Sequence, residues 1–369
     1  MIGGTPGALD AITDVAGVEV GHTTLVSGEG RLERGKGPVR TGVTVVHPRG
    51  KASADAVFGA WFTLNGNGEM TGTTWLQEGG FLEGPIAITN THSVGVVRDA
   101  ILQWQTKRPG LQPWGLPVVA ETWDGLLNDI NGFHVTAEHT LQALDGARPG
   151  PVAEGNVGGG TGMICHSFKG GIGTASRVLS PADGGYTVGV LVQCNYGRRR
   201  EFQVGGVPVG EEIKDGLPCA SLEGVSPGDR LPRCADAPRP PANEGQGSII
   251  VVVATDAPLL PHQLKRVATR PALGIGRMGG RGSNGSGDIF VAFSTANAGA
   301  ASSETVARVE MIPNGRISGL FAATIQATEE AILNALLAAE TMTGADGVRV
   351  TALPRDRLLA AMRKYGRLK

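Results

Sequence analysis

Apolar residues in this chain come in short, dense runs separated by glycine- and proline-rich stretches, and the sharpest boundary lies at Gly247-Ser248. There a polar segment turns directly into Ile249-Ile250-Val251-Val252-Val253-Ala254. Five β-branched residues in succession predict a strand buried on both faces. Further strands are predicted over 42–47, 57–64, 85–89, 118–120, 171–179, 186–193 and 289–294. Helical spacing puts Ile101 and Trp104 on one face of a helix over 94–107 that Ser93 can cap. Thr136 can cap a second helix reaching Leu144 and closed by Gly146. A third starts at Pro261, and Pro271 should kink or end it. The longest spans 318–343, with Ile325, Ile332, Leu333 and Leu336 at helical spacing and Gly344 as terminator; the last covers 355–365. No internal repeat is found. Many strands with a few long helices predict two stacked sheets with helices outside, an α/β layered sandwich.

Composition narrows the classes. With 369 residues, 41% of them hydrophobic, the chain can bury a large core. The net charge of −1 and the dispersed 33 basic residues argue against a nucleic-acid surface. Arg198-Arg199-Arg200 reads as a solvated strand edge. No apolar run approaches the ~18 residues of a membrane span. The start, MIGGTPGALDAITDV, lacks the basic head and apolar core of a signal peptide, so a cytoplasmic location is expected. Cys165, Cys194, Cys219 and Cys234 are then expected to be reduced, although Cys219 and Cys234 would be able to pair in an exported protein. There is no CxxC or HExxH, and His134 and His139 are five apart, so neither metal nor cofactor is expected. The glycine-rich segments 155–162 and 274–280 lack the context of phosphate loops and read as tight turns.

The chemistry centres on Ser248. Residues 216–247 hold six prolines and five glycines without apolar periodicity. Structureless loops beyond about 12–15 residues are usually functional or disordered. If the bond before Ser248 is cut, one residue carries both a hydroxyl and a free α-amine. Such an amine has a pKa of roughly 7.7–8.0, so nucleophile and base come from the same residue. Three segments can supply the rest. Ser286 and Asp288, two apart at the mouth of a strand, face one side and can orient a hydroxyl. Asn195 ends an apolar strand and can donate to an oxyanion. Glu121 and Trp123, also at a strand end, offer an ammonium partner and an indole donor. Taken singly, Ser286 and Asp288 read rather as a polar turn before a strand, Asn195 also as a turn residue, and Glu121 and Trp123 also as a capping acid beside a packing aromatic.

Together these residues lie in segments that resemble the L-aminopeptidase/D-esterase (DmpA-like) family, which includes the β-peptidyl aminopeptidases. The matching segments are AITDVAGVEVGHTTL, VVAETWDGLLNDINGFHVT, EGNVGGGTGMICHSFKGGIGTASR, VLVQCNYG, GSIIVVVATDAPLLPHQLKR, SGDIFVAFSTAN and ATEEAILNALLAAE. They cover nearly the whole chain; the 217–246 loop is longer than the family leads one to expect. The resemblance implies a four-layer αββα sandwich, similar in layout to N-terminal nucleophile hydrolases but with different connectivity. It implies a single 1–369 peptidase domain that cuts itself between Gly247 and Ser248 into chains 1–247 and 248–369 and assembles as a homotetramer. On this resemblance Ser248 is the nucleophile, Ser286 and Asp288 match the SG[DE] segment that assists it, and Asn195 matches the oxyanion asparagine. Glu121 matches the acid that holds the substrate amine, and Trp123 stands where a tyrosine hydroxyl helps the oxyanion hole. Expected substrates are short peptides or amino-acid amides or esters with a free amine, with L-, D- and β-residues all open. The alternative is an acyltransferase of the ornithine acetyltransferase type; those resemble this chain but carry threonine at the junction.

Overall fold

The structure, a computed structural model, describes residues 2–108, 114–222, 231–236, 239–240, 244–302 and 304–368. Its strands in chain order are β1 (Glu19–Ser27), β2 (Val39–His47), β3 (Val57–Gly66), β4 (Phe81–Leu82), β5 (Ile86–Asn90), β6 (Val118–Thr122), β7 (Ile164–Cys165) and β8 (Phe168–Lys169). They continue with β9 (Gly171–Val178), β10 (Thr187–Asn195), β11 (Cys219–Ala220), β12 (Ser248–Thr255), β13 (Gly287–Ser294), β14 (Met342–Thr343) and β15 (Val348–Val350). The helices are α1 (Thr73–Gly79), α2 (Val94–Thr106), α3 (Ala137–Gly146), α4 (Val209–Glu212), α5 (Pro261–Ala268), α6 (Pro271–Arg277), α7 (Ser318–Ala338) and α8 (Arg355–Lys364).

Two large sheets result, in the orders β1-β2-β5-β6 and β4-β3-β13-β12-β10-β9, beside a small β11-β15-β14 sheet and the β7-β8 pair. The alternation of strand side chains decides how they stack. Ile250, Val252 and Ala254 of β12 pack with Ile86, Ile88 and Val118 of the first sheet, forming the inner core. Their neighbours Ile249, Val251 and Val253 pack instead with Leu264 and Val267 of α5 and Ala327 and Ala331 of α7. On the far side, Val43, Val45 and Val119 meet Val97 and Ile101 of α2 and Leu144 of α3. The layers therefore run helix, sheet, sheet, helix, as expected. β12 has both faces covered because it lies between the opposite sheet and the helices α5 and α7, and burying each of its Ile or Val side chains contributes roughly 1.5–3 kcal/mol.

Some expectations need correction. The long helix ends at Ala338, because Ala339 turns extended and Met342–Thr343 pairs with β15. Pro271 does end its helix, and opens α6 at the first helical position. Part of the 217–246 stretch is ordered: β11 joins β15, and Ala220 bridges Arg233. Residues 223–230, 237–238 and 241–243 of that stretch lie outside the described residues. Both cysteine pairs, Cys165–Cys194 and Cys219–Cys234, are bonded rather than reduced, since β7 lies against the end of β10 and Cys234 follows the bridge to β11. Arg199 is not a solvated edge. It is buried, stacks on Phe168 and donates to the carbonyls of His166, Ser167, Ile213 and Asp215. Among the described residues no helix is long and apolar enough to cross a membrane.

Candidate active site

The ends of the three central strands come together at Ser248. Antiparallel pairing sets Asn195, the last residue of β10, opposite Ser248, the first of β12. Parallel pairing sets Asp288 of β13 beside Ile249. Ser248 is buried, and its Oγ accepts a hydrogen bond from the Gly287 N–H at 3.0 Å. Gly247 has to be glycine: a Cβ there would lie 2.1 Å from the Asn195 carbonyl oxygen.

Ser286 and Asp288 face the same way, as their spacing predicts. Ser286 Oγ donates to Asp288 Oδ1 at 2.7 Å, and the same oxygen accepts the Ile249 N–H at 3.2 Å. Burial pushes the Asp288 carboxyl up to about 6, against the opposing effect of these hydrogen bonds. A β-bulge between Asp288 and Ile289 re-aims the neighbouring strand, so that Asn65 Oδ1 accepts the Asp288 N–H at 2.8 Å. Asn65 Nδ2 and Asn67 Nδ2 then hold the carbonyls of Ser283 and Gly285. The Asn65-Gly66-Asn67-Gly68 run that clasps the serine turn carries a legible turn signal in the sequence, but no site was assigned to it.

Asn195 is fixed at both ends of its amide. Oδ1 accepts the Ile164 N–H at 2.8 Å, and Nδ2 donates to the Trp123 carbonyl at 2.9 Å. These two contacts settle which amide atom is which, and one N–H of Nδ2 is left over. Trp123 thus supports the asparagine through its backbone, while its half-exposed ring forms a wall. The turn bearing Trp123 is fastened by buried Asp124, which accepts from Asn90 and Asn128; burial raises its carboxyl to about 6. Gln193 Nε2 ties the sheets together nearby, donating to the Thr89 carbonyl and to Thr122 Oγ1.

Glu121, on β6, is buried and comes from the opposite sheet. One oxygen accepts the Glu69 N–H at 3.0 Å, and the other accepts the Thr91 hydroxyl. Burial raises its pKa, with both hydrogen bonds opposing. Glu121, Trp123, Gly247 and Ser248 line one open pocket of about 1140 Å³, together with Asn67, Glu69, Thr91 and Gln246. Asn195 and Trp123 line an adjoining pocket of about 490 Å³. The five other predicted site residues, Glu121, Trp123, Asn195, Ser286 and Asp288, therefore lie around Ser248. Asn65, Thr91 and Gln246 were missed; Thr91 follows the end of β5 just as Glu121 lies next to the end of β6, Asn65 carries only a turn signal, and Gln246 carries none. Among the described residues no cluster of His, Cys, Asp and Glu is arranged to hold a metal.

Comparisons with known proteins place the chain among peptidases. The model of peptidase family S58 matches residues 10–350. A β-peptidyl aminopeptidase, BapA, of Sphingosinicella microcystinivorans is 59% identical, over 99% of this chain and 90% of its own length. A solved β-aminopeptidase from a Burkholderia species superposes with a TM-score of 0.85 at 48% identity, covering 99% of this chain and 97% of its own. The L-aminopeptidase D-Ala-esterase/amidase of Ochrobactrum anthropi, described as a variant of the Ntn hydrolase fold, superposes with a TM-score of 0.87 at 44% identity, covering 100% and 98%.

Proposed function

The chain belongs to peptidase family S58, and on that premise we propose that it is a self-processing serine aminopeptidase that releases N-terminal β-amino acids through an acyl-enzyme on Ser248. That it hydrolyses peptide bonds, as an aminopeptidase, follows from the family; the steps and residue roles are our reading. The observation that carries it is the single pocket shared by Ser248, the Gly247 junction and the buried Glu121 carboxylate.

In processing, Ser248 Oγ attacks the Gly247 carbonyl carbon. The C–N bond to Ser248 breaks, its nitrogen takes the hydroxyl proton, and an ester joins Gly247 to Ser248. Water hydrolyses the ester, leaving a Gly247 carboxylate and a free Ser248 amine. In turnover that amine serves as base for its own hydroxyl. The Ser286–Asp288 pair holds the β13 turn whose Gly287 N–H orients Ser248 Oγ, and its carboxylate favours positive charge on the nearby amine. The spare Asn195 N–H receives the tetrahedral oxyanion; removing such a donor typically costs about 10²–10³ in kcat. Glu121 binds the substrate ammonium, which makes the enzyme an aminopeptidase and excludes blocked substrates. The preference for β-residues rests on the named relatives. The homotetramer expected from the family resemblance is carried as part of this reading.

Intact mass under denaturing conditions tests processing: the 38.0 kDa chain should resolve into 1–247 and 248–369, and Ser248→Ala should stay whole. Release of free amino acid from β-alanyl and L-alanyl anilides then tests the chemistry. Splitting of the Ser248→Ala chain at the same bond would remove Ser248 from its role. Transfer to an added amine in preference to water would favour the acyltransferase reading.

A further inference from the structure

Lys169 has no part in the steps above, yet its surroundings are unusual for a lysine. It lies on β8, fully buried, and its Nζ donates to the carbonyls of Met163 at 2.8 Å, Gly170 at 2.8 Å and Gly160 at 3.3 Å. Three acceptors match the three N–H donors of an ammonium. None of the three is a carboxylate, and burial alone pulls this amine down to about 7. An ammonium taken out of water without a counter-ion is costly to the fold. A methionine or leucine would fill the same space without that cost, so packing does not account for a lysine here.

The identity of one acceptor gives a reason. The carbonyl of Met163 and the N–H of Ile164 belong to the same peptide group. Lys169 donates to its oxygen, joined there by the Gly170 N–H at 2.9 Å. Its N–H points the other way and donates to Asn195 Oδ1 at 2.8 Å. The Asn195 amide then presents its Nδ2 hydrogens, one of them to the Trp123 carbonyl. A continuous line of hydrogen bonds therefore runs from the Lys169 ammonium through one peptide to the side-chain amide of Asn195. The peptide is otherwise immobilised: Met163 is fully buried, and its sulfur accepts the Thr122 hydroxyl. In such a chain each donor polarises the next, most strongly where one end is charged and the surroundings are dry.

We propose that Lys169 is a positioning residue for the oxyanion site: through the 163–164 peptide it fixes the rotamer of Asn195 and strengthens Asn195 Nδ2–H as a donor. The proposal rests on the reading of Asn195 as the oxyanion donor. It concerns the transition state, in which negative charge has appeared on the carbonyl oxygen, far more than the bound substrate. Removing the charge should therefore lower kcat and leave KM, which depends on Glu121, in place.

The test uses the full-length protein in four forms besides wild type: Lys169→Met, Lys169→Gln, Asn195→Ala and Asn195→Ala with Lys169→Met. Thermal melting checks folding. Loss of the 38.0 kDa chain reports processing, and kcat and KM on a β-alanyl anilide are taken per processed chain. Lys169→Met is expected to slow both processing and kcat on the order of 10-fold with KM unchanged, less than the about 10²–10³-fold expected of Asn195→Ala. Lys169→Gln, which keeps two donors but no charge, should fall between Lys169→Met and wild type. The decisive comparison is the double variant, which should be no slower than Asn195→Ala alone, because Lys169 has nothing left to act through. If Asn195→Ala itself leaves kcat unchanged, the oxyanion reading fails first. If Asn195→Ala is slow but the two losses multiply, or if Lys169→Met raises KM at constant kcat, the proposal is overturned while the oxyanion reading stands. If neither Lys169 variant melts cooperatively, the lysine serves the fold and the proposal fails.

Discussion

Asp288 should cost the folded protein stability at the pH where it serves catalysis, and Asp288→Asn should recover that stability. The carboxyl is 1% exposed and its pKa rises from 3.8 to about 6, chiefly through desolvation. An acid whose pKa is raised on folding binds its proton more tightly in the native state. The native state is thus favoured below the unfolded pKa, and this advantage is lost as pH rises through about 6. At about 1.36 kcal/mol per unit, the roughly two-unit shift corresponds to about 3 kcal/mol in full, of which about 2.4 kcal/mol falls between pH 4 and pH 8. Asparagine has nearly the same shape and no titration. It keeps an oxygen for the Ser286 hydroxyl and the Ile249 N–H, and its NH₂ adds a pH-independent penalty. The clean quantity is therefore the pH dependence of the difference between aspartate and asparagine forms. Both should carry Ser248→Ala, so that neither is processed. At about 2.1 cal/mol/K of unfolding entropy per residue, about 2.4 kcal/mol is about 3 °C in Tm for a chain this long. Melts from pH 4 to pH 8 should show the asparagine form gaining about that much on its parent as pH rises. Parallel curves would refute a desolvated, ionised Asp288. In an otherwise unmodified chain the same substitution should lower kcat, because a neutral amide no longer favours positive charge on the Ser248 amine.

Three further outcomes are expected. Glu121→Gln should raise KM for free-amine substrates by about 10- to 100-fold, the worth of a charged hydrogen bond of about 1.5–3 kcal/mol, and an N-acetylated substrate should not be turned over by either form; equal rates on blocked and free substrates in the wild type would remove Glu121 from amine binding. Gly247→Ala pushes a Cβ to 2.1 Å from the Asn195 carbonyl oxygen, so timed intact-mass measurements should show slower cleavage, with normal turnover per processed chain because residue 247 leaves the junction. Turnover should fall on the acid side first as the Ser248 amine, ordinarily at roughly 7.7–8.0, takes up its proton, and more steeply through about pH 6 as Asp288 does; Ser286→Ala, which removes a hydroxyl that holds the carboxylate ionised, should move this second step to higher pH, and a second step that stays fixed belongs to another group, such as Asp124, also pushed up to about 6.

The difference between what was legible in the sequence and what was not follows from the range of each interaction. The run from Ile249 to Ala254 announced a strand covered on both faces because its composition depends only on burial, and the stacked sheets cover it as expected. Ser286 and Asp288 were legible as a pair because two-residue spacing in a strand fixes their common direction. The end of α7 was not, since the apolar pattern runs past Ala338 and Met342–Thr343 is drawn out of the helix by pairing with β15, which the distant β11 holds on its other edge. Arg199 looked like surface for the same reason: the carbonyls that satisfy it come from residues 166–167 and 213–215, brought together by tertiary folding.

The candidate site divides along the same line. Groups with intrinsic chemistry, such as Ser248, Asp288 and Glu121, can be nominated from strand ends alone. The groups that aim them are mostly backbone: the Gly287 N–H on Ser248, the Glu69 N–H on Glu121, the Ile164 N–H and the Trp123 carbonyl on Asn195. Backbone groups are the same in every residue, so they leave no mark in composition or spacing. What does mark them is the glycine that lets two strands approach. A Cβ on Gly287 would meet the Asn67 carbonyl at 2.6 Å, and one on Gly68 would lie 3.2 Å from Glu121 Oε1. The glycine content of the chain, about 16% against an average near 7%, is then in part a requirement of the site itself: these backbone donors and acceptors reach the side chains of the candidate site only where no side chain intervenes.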